Sequence, residues 1–293
     1  MANKKAFWGR VAIFGTTLIW GTSFVILKNT LDNIGTFWIM AIRFTVSALL
    51  LGLAANRKLF KMDKQVFRGS VLMGLCLAVA YIVQTYGLKY TTPGKNAFLT
   101  ATYCVLVPFM AWGIYKRKPT GANIIAALLC ITGIGFVSLG DVSGGMNVGD
   151  VLTLCCGVFY GLQIIMMEQY AGKCDALSIS TVQFAAAALA CWVGALIFEQ
   201  PPQNLPGSAW MSIAYLSIMC TAVCFFLQAW GMKYTPSSTT AVIMTLESVF
   251  GTLISIVFYH ERMTFKLVLG FALIFVSVLI SETGGSFLKK KKA

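Results

Sequence analysis

Gln84-Thr85-Tyr86-Gly87-Leu88-Lys89-Tyr90-Thr91 returns later in the chain as Gln228-Ala229-Trp230-Gly231-Met232-Lys233-Tyr234-Thr235. Five of the eight positions are identical, and Tyr86/Trp230 and Leu88/Met232 are conservative. The two stretches lie 144 residues apart, about half of the 293-residue chain. The same offset aligns Cys76 with Cys220, Val79 with Val223, Ala97 with Ala241, Tyr115 with Tyr259 and Thr120 with Thr264, with no gap. A gapless register of this length points to a duplicated unit, and the duplication sets how the rest of the chain is read. Earlier in the chain the offset is 140: Trp20-Gly21 falls on Tyr160-Gly161, and Arg43-Phe44 on Gln183-Phe184.

Composition sets the solvent. The chain is 58% hydrophobic and 11% charged, against roughly 25% charged residues in a soluble domain. That leaves too little polar surface to cover a globule. Apolar runs of spanning length fall at about 9–28, 34–55, 68–89, 94–115, 121–140, 149–171, 178–198, 208–230, 237–258 and 264–283. The expected fold is an all-α integral membrane protein of ten transmembrane helices. Thr92-Pro93-Gly94, Lys118-Pro119, Pro201-Pro202, Pro206-Gly207 and Thr235-Pro236 punctuate the helix ends. The connections are too short for a soluble domain.

Net charge is +13. The basic residues cluster between apolar runs, which suits anchoring to a lipid bilayer and not a nucleic-acid face. With the N-terminus in the cytoplasm, 17 Lys and Arg fall on the inner side and 5 on the outer, with Arg43 inside a span. The expected location is therefore the cell membrane, with both termini cytoplasmic. Lys4, Lys5 and Arg10 precede a run that lacks a small-x-small cleavage site, so it is expected to stay as the first helix. The nine cysteines include no C-x-x-C and lie almost entirely in apolar runs, and His260 is the lone histidine. No metal, disulfide or cofactor chemistry is expected from them.

Each half holds five spans, an odd number, so the second copy must be inverted in the membrane. The expected domains are a first repeat over 1–140, an external linker over 141–148, an inverted second repeat over 149–283 and a cytoplasmic basic tail over 284–293. Inverted repeats recur in secondary transporters, with the substrate site near the midplane between the copies.

On these features the chain resembles the drug/metabolite transporter superfamily and, within it, the EamA-type ten-helix permeases. The resemblance covers essentially the whole chain. It rests on the five-plus-five duplication, Trp20-Gly21-Thr22-Ser23-Phe24, Arg43-Phe44, the repeated Gly87-to-Thr91 motif and Leu246-Glu247 followed by Glu261-Arg262-Met263-Thr264. It implies carriage of small metabolites or drugs, often efflux of amino acids and related compounds, without ATP. The chain departs from the family in having Ser248 where Pro often follows the glutamate. The first half has Lys116-Arg117-Lys118, preceded by Val107-Pro108, in place of the acidic-Arg turn.

A charge at the centre of a spanning helix costs ~2.5–3.5 kcal/mol or more. Arg43 and Glu247 stand near the middle of the second and ninth runs at similar depth. Two roles compete for them: an ion pair that locks two helices, and cavity-lining charges that meet a small-molecule substrate or a proton. The first copy has Tyr103 where the second has Glu247, and no second carboxylate for a relay. That favours Glu247 as a structural partner of Arg43, while leaving it the candidate group for proton coupling. Trp20, Ser23, Tyr81, Gln84, Tyr103, Tyr160, Gln163, Gln183 and Gln228 complete the candidate substrate-binding set. Amides facing lipid would be unsatisfied, so they are expected to point inward. Interhelical hydrogen bonding is the competing role for each. Gly157-x-x-x-Gly161, with its mate Thr17 to Gly21, marks close helix packing. The fifth and tenth helices, poor in polar residues, are expected at the periphery.

Three function classes fit a bundle of this kind. A membrane enzyme would need a nucleophile–base set or metal ligands, which one histidine and two mid-span charges do not supply. A channel or lipid scramblase differs from a carrier in showing neither saturation nor counterflow. The duplicated topology with midplane charges favours the carrier. The oligomeric state stays open.

Overall fold

The computed structural model describes residues 2–138, 146–170, 173–235 and 237–283. The basic tail and most of the linker, with its Gly144-Gly145 pair, lie outside the described residues. Among the described residues every regular element is helical. Nine helices of the described residues are long and apolar enough to cross a membrane, and a shorter apolar helix, Val242–Phe258, supplies the remaining span.

The spans, numbered in chain order, are Ala2–Thr30, Thr36–Ala55, Lys64–Tyr90, Pro93–Tyr115, Gly121–Ser138, Val148–Tyr170, Ala176–Phe198, Gly207–Met232, 237–258 and Phe265–Thr283. Their ends lie within about four residues of the apolar runs, except that the first span begins earlier, at Ala2. Local chemistry sets those ends. Asp63 accepts from the Gln65 N–H at 2.9 Å and caps the third span. Thr92 and Pro93 open the fourth as N-cap and first residue.

The contacts repeat under exchange of the two halves. The third span packs on the sixth, and its mate, the eighth, packs on the first. The fourth meets the sixth as the ninth meets the first. The second and seventh pack on each other, as do the fifth and tenth. Glycines permit the tightest of these crossings. A Cβ on Gly149 would lie 2.6 Å from the Gly87 carbonyl oxygen, and one on Gly231 2.7 Å from that of Gly9. Gly87 and Gly231 are mates at the offset of 144, Gly9 and Gly149 at 140, so one contact is built twice. We expect Gly149→Ala to force these backbones apart and destabilise the protein by about 1–3 kcal/mol. Retention of the parent melting temperature in detergent would contradict this.

Both halves also carry irregular helices near the middle of the bundle. The fourth and ninth spans are each interrupted by a threonine. Thr102 has φ −61° and ψ −17°, and Thr245 has φ −62° and ψ −20°. Each hydroxyl donates to a carbonyl three residues earlier, Leu99 at 2.7 Å and Val242 at 2.8 Å. The breaks are one residue out of strict repeat register, which the aligned sequences do not reveal. The eighth span contains a π-helical turn, Ile218–Val223, that its mate in the third span lacks. Pro108, inside the fourth span, has no N–H to give Cys104, and that carbonyl accepts from Ser281 of the tenth span at 2.9 Å.

Candidate functional site

The π turn is one place where the two copies exchange polar contacts. A π turn widens the backbone spacing and leaves carbonyls free of their usual α-helical partners. The Trp20 indole N–H donates to the Cys220 carbonyl at 2.7 Å. Ser47 donates to the Ser217 carbonyl at 2.9 Å, and Thr221 donates to the Leu216 carbonyl at 2.9 Å. Arg43, 2% exposed, donates from Nε to Thr221 Oγ1 at 2.7 Å. Its guanidinium lies 4.9 Å from the centre of the Tyr81 ring. The π turn thus turns an apolar span into an acceptor surface for a buried cation. Trp20→Phe removes the donor together with part of the ring's bulk. We expect a loss of about 1 kcal/mol, read as a lower melting temperature; an unchanged value would show that water replaces the bond.

Rings from both copies surround Arg43. Phe44 stands edge-on to Tyr81 at 5.2 Å and stacks on Phe184 at 5.6 Å. Phe184 meets Phe225 at 4.8 Å, and Phe225 meets Trp20 at 5.6 Å. Tyr160 lies 5.5 Å from Tyr81 and 5.9 Å from Tyr103. Tyr160 donates to Gln84 Oε1 at 2.8 Å, while Gln84 Nε2 donates to Thr100 at 2.8 Å. Trp20, Arg43, Tyr81, Gln84, Tyr103 and Tyr160 therefore form one connected cluster.

The remaining candidates stand apart from it. Gln163 and Gln183 bond each other at 2.9 Å, both buried between the sixth and seventh spans. Ser23 donates to the Trp20 carbonyl of its own helix at 2.6 Å. Gln228 reaches the Met244 sulfur at 3.4 Å. This pair is the mate of Gln84–Thr100, so the contact is kept between copies while its chemistry weakens.

Arg43 and Glu247 depart from the expected lock. Among the described residues no ion pair within 4 Å joins them. Glu247 is within electrostatic range of Arg43, Tyr81, Tyr103 and Tyr160. It is only half-buried, two residues past the break at Thr245. The reason is geometric: Thr221 and Tyr81 already hold the Arg43 head, and Thr221 is brought there by the π turn. Thr221 and Phe225 were missed in the sequence because a π turn leaves no periodic signature. Phe44 and Phe184 did leave one, as the repeated aromatic beside Arg43 and Gln183.

Ten apolar helices in two like copies, with a buried cation among aromatic rings between them, define a multi-pass membrane protein of the transporter type. The chain belongs to the EamA-like transporter family, whose model matches twice, over residues 7–139 and 147–283. It is similar to an uncharacterized transporter of Archaeoglobus fulgidus, 30% identical over 264 residues, covering 90% of this chain and 82% of that one. It is also similar to the uncharacterized transporter YoaV of Bacillus subtilis, 20% identical over 278 residues, covering 92% and 95%. A protein of solved crystal structure shares the fold at a TM-score of 0.70 and 18% identity, covering 97% of this chain and 99% of that one.

Proposed function

We propose that this chain is a secondary transporter that moves small metabolites or drugs by alternating access, with efflux of amino acids and related compounds as the leading assignment. The substrate would meet the cluster around Arg43, between the copies. One observation carries the reading: a buried guanidinium and a half-buried carboxylate, set among rings from both halves, at a depth where charge is otherwise excluded. Arg43 suits an anionic group such as a carboxylate. Glu247 suits a cationic one, and the rings suit apolar or cationic side chains. A zwitterion with an apolar side chain satisfies all three. Broken helices at matching places in the two halves support a midplane site.

The proposed coupling ion is the proton, carried by Glu247. The proposed orientation puts both termini in the cytoplasm of a cell-membrane protein, on the strength of the 17-to-5 split of Lys and Arg. Single cysteines at Ser143 and Ser286 on a cysteine-free background test it. Labelling of Ser286→Cys by an impermeant reagent in intact cells would reverse the assignment.

The function is tested with purified protein. A thermal-shift screen of amino acids, amines and sugars should find a ligand, since binding to the folded state raises its apparent stability. That ligand should then show saturable flux and counterflow in proteoliposomes. Flux that is linear in concentration and without counterflow would mean a channel.

A further inference from the structure

The spans fall into two groups of three that the repeat exchanges. One group is the third, fourth and sixth; the other is the eighth, ninth and first. Two charged residues bind one group to the other, both at the end of the bundle where the first span finishes.

Lys28 closes the first span and reaches across to the third. Its ammonium donates to the carbonyls of Leu88 at 2.6 Å, Lys89 at 2.9 Å and Thr91 at 2.9 Å. A helix leaves its last carbonyls without partners and carries partial negative charge there, so a cation with three donors is the matching cap. Glu261 follows the ninth span and does the converse. Its carboxylate, 8% exposed, accepts from the Gly94 N–H at 3.0 Å and from the Thr92 and Ser255 hydroxyls. It thus caps the start of the fourth span, where donors are unpaired. Beside it, Gly251 of the ninth span faces Ala97 of the fourth at contact distance.

The repeat specifies what should stand at the opposite end. The mate of Lys28 is Glu168, and the mate of Glu261 is Arg117. Both charges are reversed. A carboxylate cannot cap the carbonyls that end the eighth span, and a guanidinium cannot accept the N–H groups that start the ninth. Instead, Arg117 and Glu168 pair with each other at 3.4 Å, both mostly exposed and both in the same group of three.

We propose that Lys28 and Glu261 are gate residues of the transport cycle, clasping the two groups at one end. Because their mates have the opposite charge, the other end has no equivalent clasp among the described residues. The resting protein is therefore closed at the Lys28 end, and loss of either cap favours opening there. This rests on the transporter reading and adds to it the parts that move.

The test measures distances at both ends by pulsed spin-label spectroscopy in nanodiscs, on a background with all nine cysteines replaced. Labels at Asn29 and Val148 report the Lys28 end, and labels at Ile114 and Met232 the other. Lys28→Met and Glu261→Gln should each lengthen the first distance by several ångström and shorten the second. Lys28→Arg, which keeps the cation and its donors, should restore the parent values. If Lys28→Met does not fold, Glu261→Gln decides the matter alone. Folded variants with both distances unchanged would overturn the proposal. Flux of the ligand found by thermal shift is measured in parallel with the unlabelled parent. Distances that shift in a protein without saturable flux would remove the transporter reading and leave the clasp standing; saturable flux without a shift would remove the clasp alone.

Discussion

Glu247→Gln is expected to abolish uphill transport while leaving exchange of substrate intact. The amide mimics the protonated acid in shape and charge and cannot release a proton. A gradient of one pH unit stores about 1.4 kcal/mol per proton, so one coupled proton sustains roughly tenfold accumulation. In the variant that ratio should fall to about one, with counterflow near the parent rate. Breaking a direct buried ion pair costs about 3–5 kcal/mol in soluble examples. No contact of that kind joins Glu247 to Arg43 within 4 Å among the described residues. The stability loss should accordingly be well below that range. A large drop in melting temperature, partly reversed by adding Arg43→Gln, would instead make Glu247 a structural counter-charge. Unchanged accumulation and unchanged stability would make it a passive lining group.

Arg43→Gln is expected to reduce transport by up to roughly 150-fold, measured as kcat/KM. The guanidinium is fixed from two sides, by Thr221 at 2.7 Å and by the Tyr81 face at 4.9 Å. Its remaining N–H groups are thereby presented in a set direction. Losing a charge-assisted hydrogen bond to substrate costs about 1.5–3 kcal/mol, and each 1.4 kcal/mol is tenfold. Thr221→Val removes only the fixing acceptor, so a smaller loss, about tenfold, is expected. Arg43→Lys keeps the charge but not the planar fork, and should recover only part of the rate. Equal loss in Arg43→Gln and Arg43→Lys would place the role in geometry. Full activity in Arg43→Gln would remove Arg43 from the substrate path.

The fold was legible because the bilayer enforces it. Backbone polar groups have no water to bond in hydrocarbon, so each apolar run of sufficient length becomes a helix. The runs therefore located all ten spans, and the repeat at offsets of 140 and 144 implied the pairing of halves now visible in their contacts. The Gly9, Gly87, Gly149 and Gly231 crossings arise from the same two offsets. Of the candidate residues, Trp20, Arg43, Tyr81, Gln84, Tyr103 and Tyr160 come together in one cluster. Ser23, Gln163, Gln183 and Gln228 turn instead to partners on their own or a neighbouring helix, and the Gln183 Nε2 is left buried without a hydrogen-bond partner.

Tertiary structure alone decided the rest. Sequence placed Arg43 and Glu247 at similar depth, and depth alone suggested a pair. What separates them is the π turn at Ile218–Val223, one extra residue in a helical turn, which brings Thr221 to the guanidinium. Lys28 read as one of five basic residues on the outer side, and Glu261 as part of a motif. Their caps on the third and fourth spans depend on how the two groups of helices lean together. Local energies of burial determine the length and polarity of each span, and a single stretch of residues carries them. The angle between spans arises only from the summed packing of many side chains, which no short stretch records.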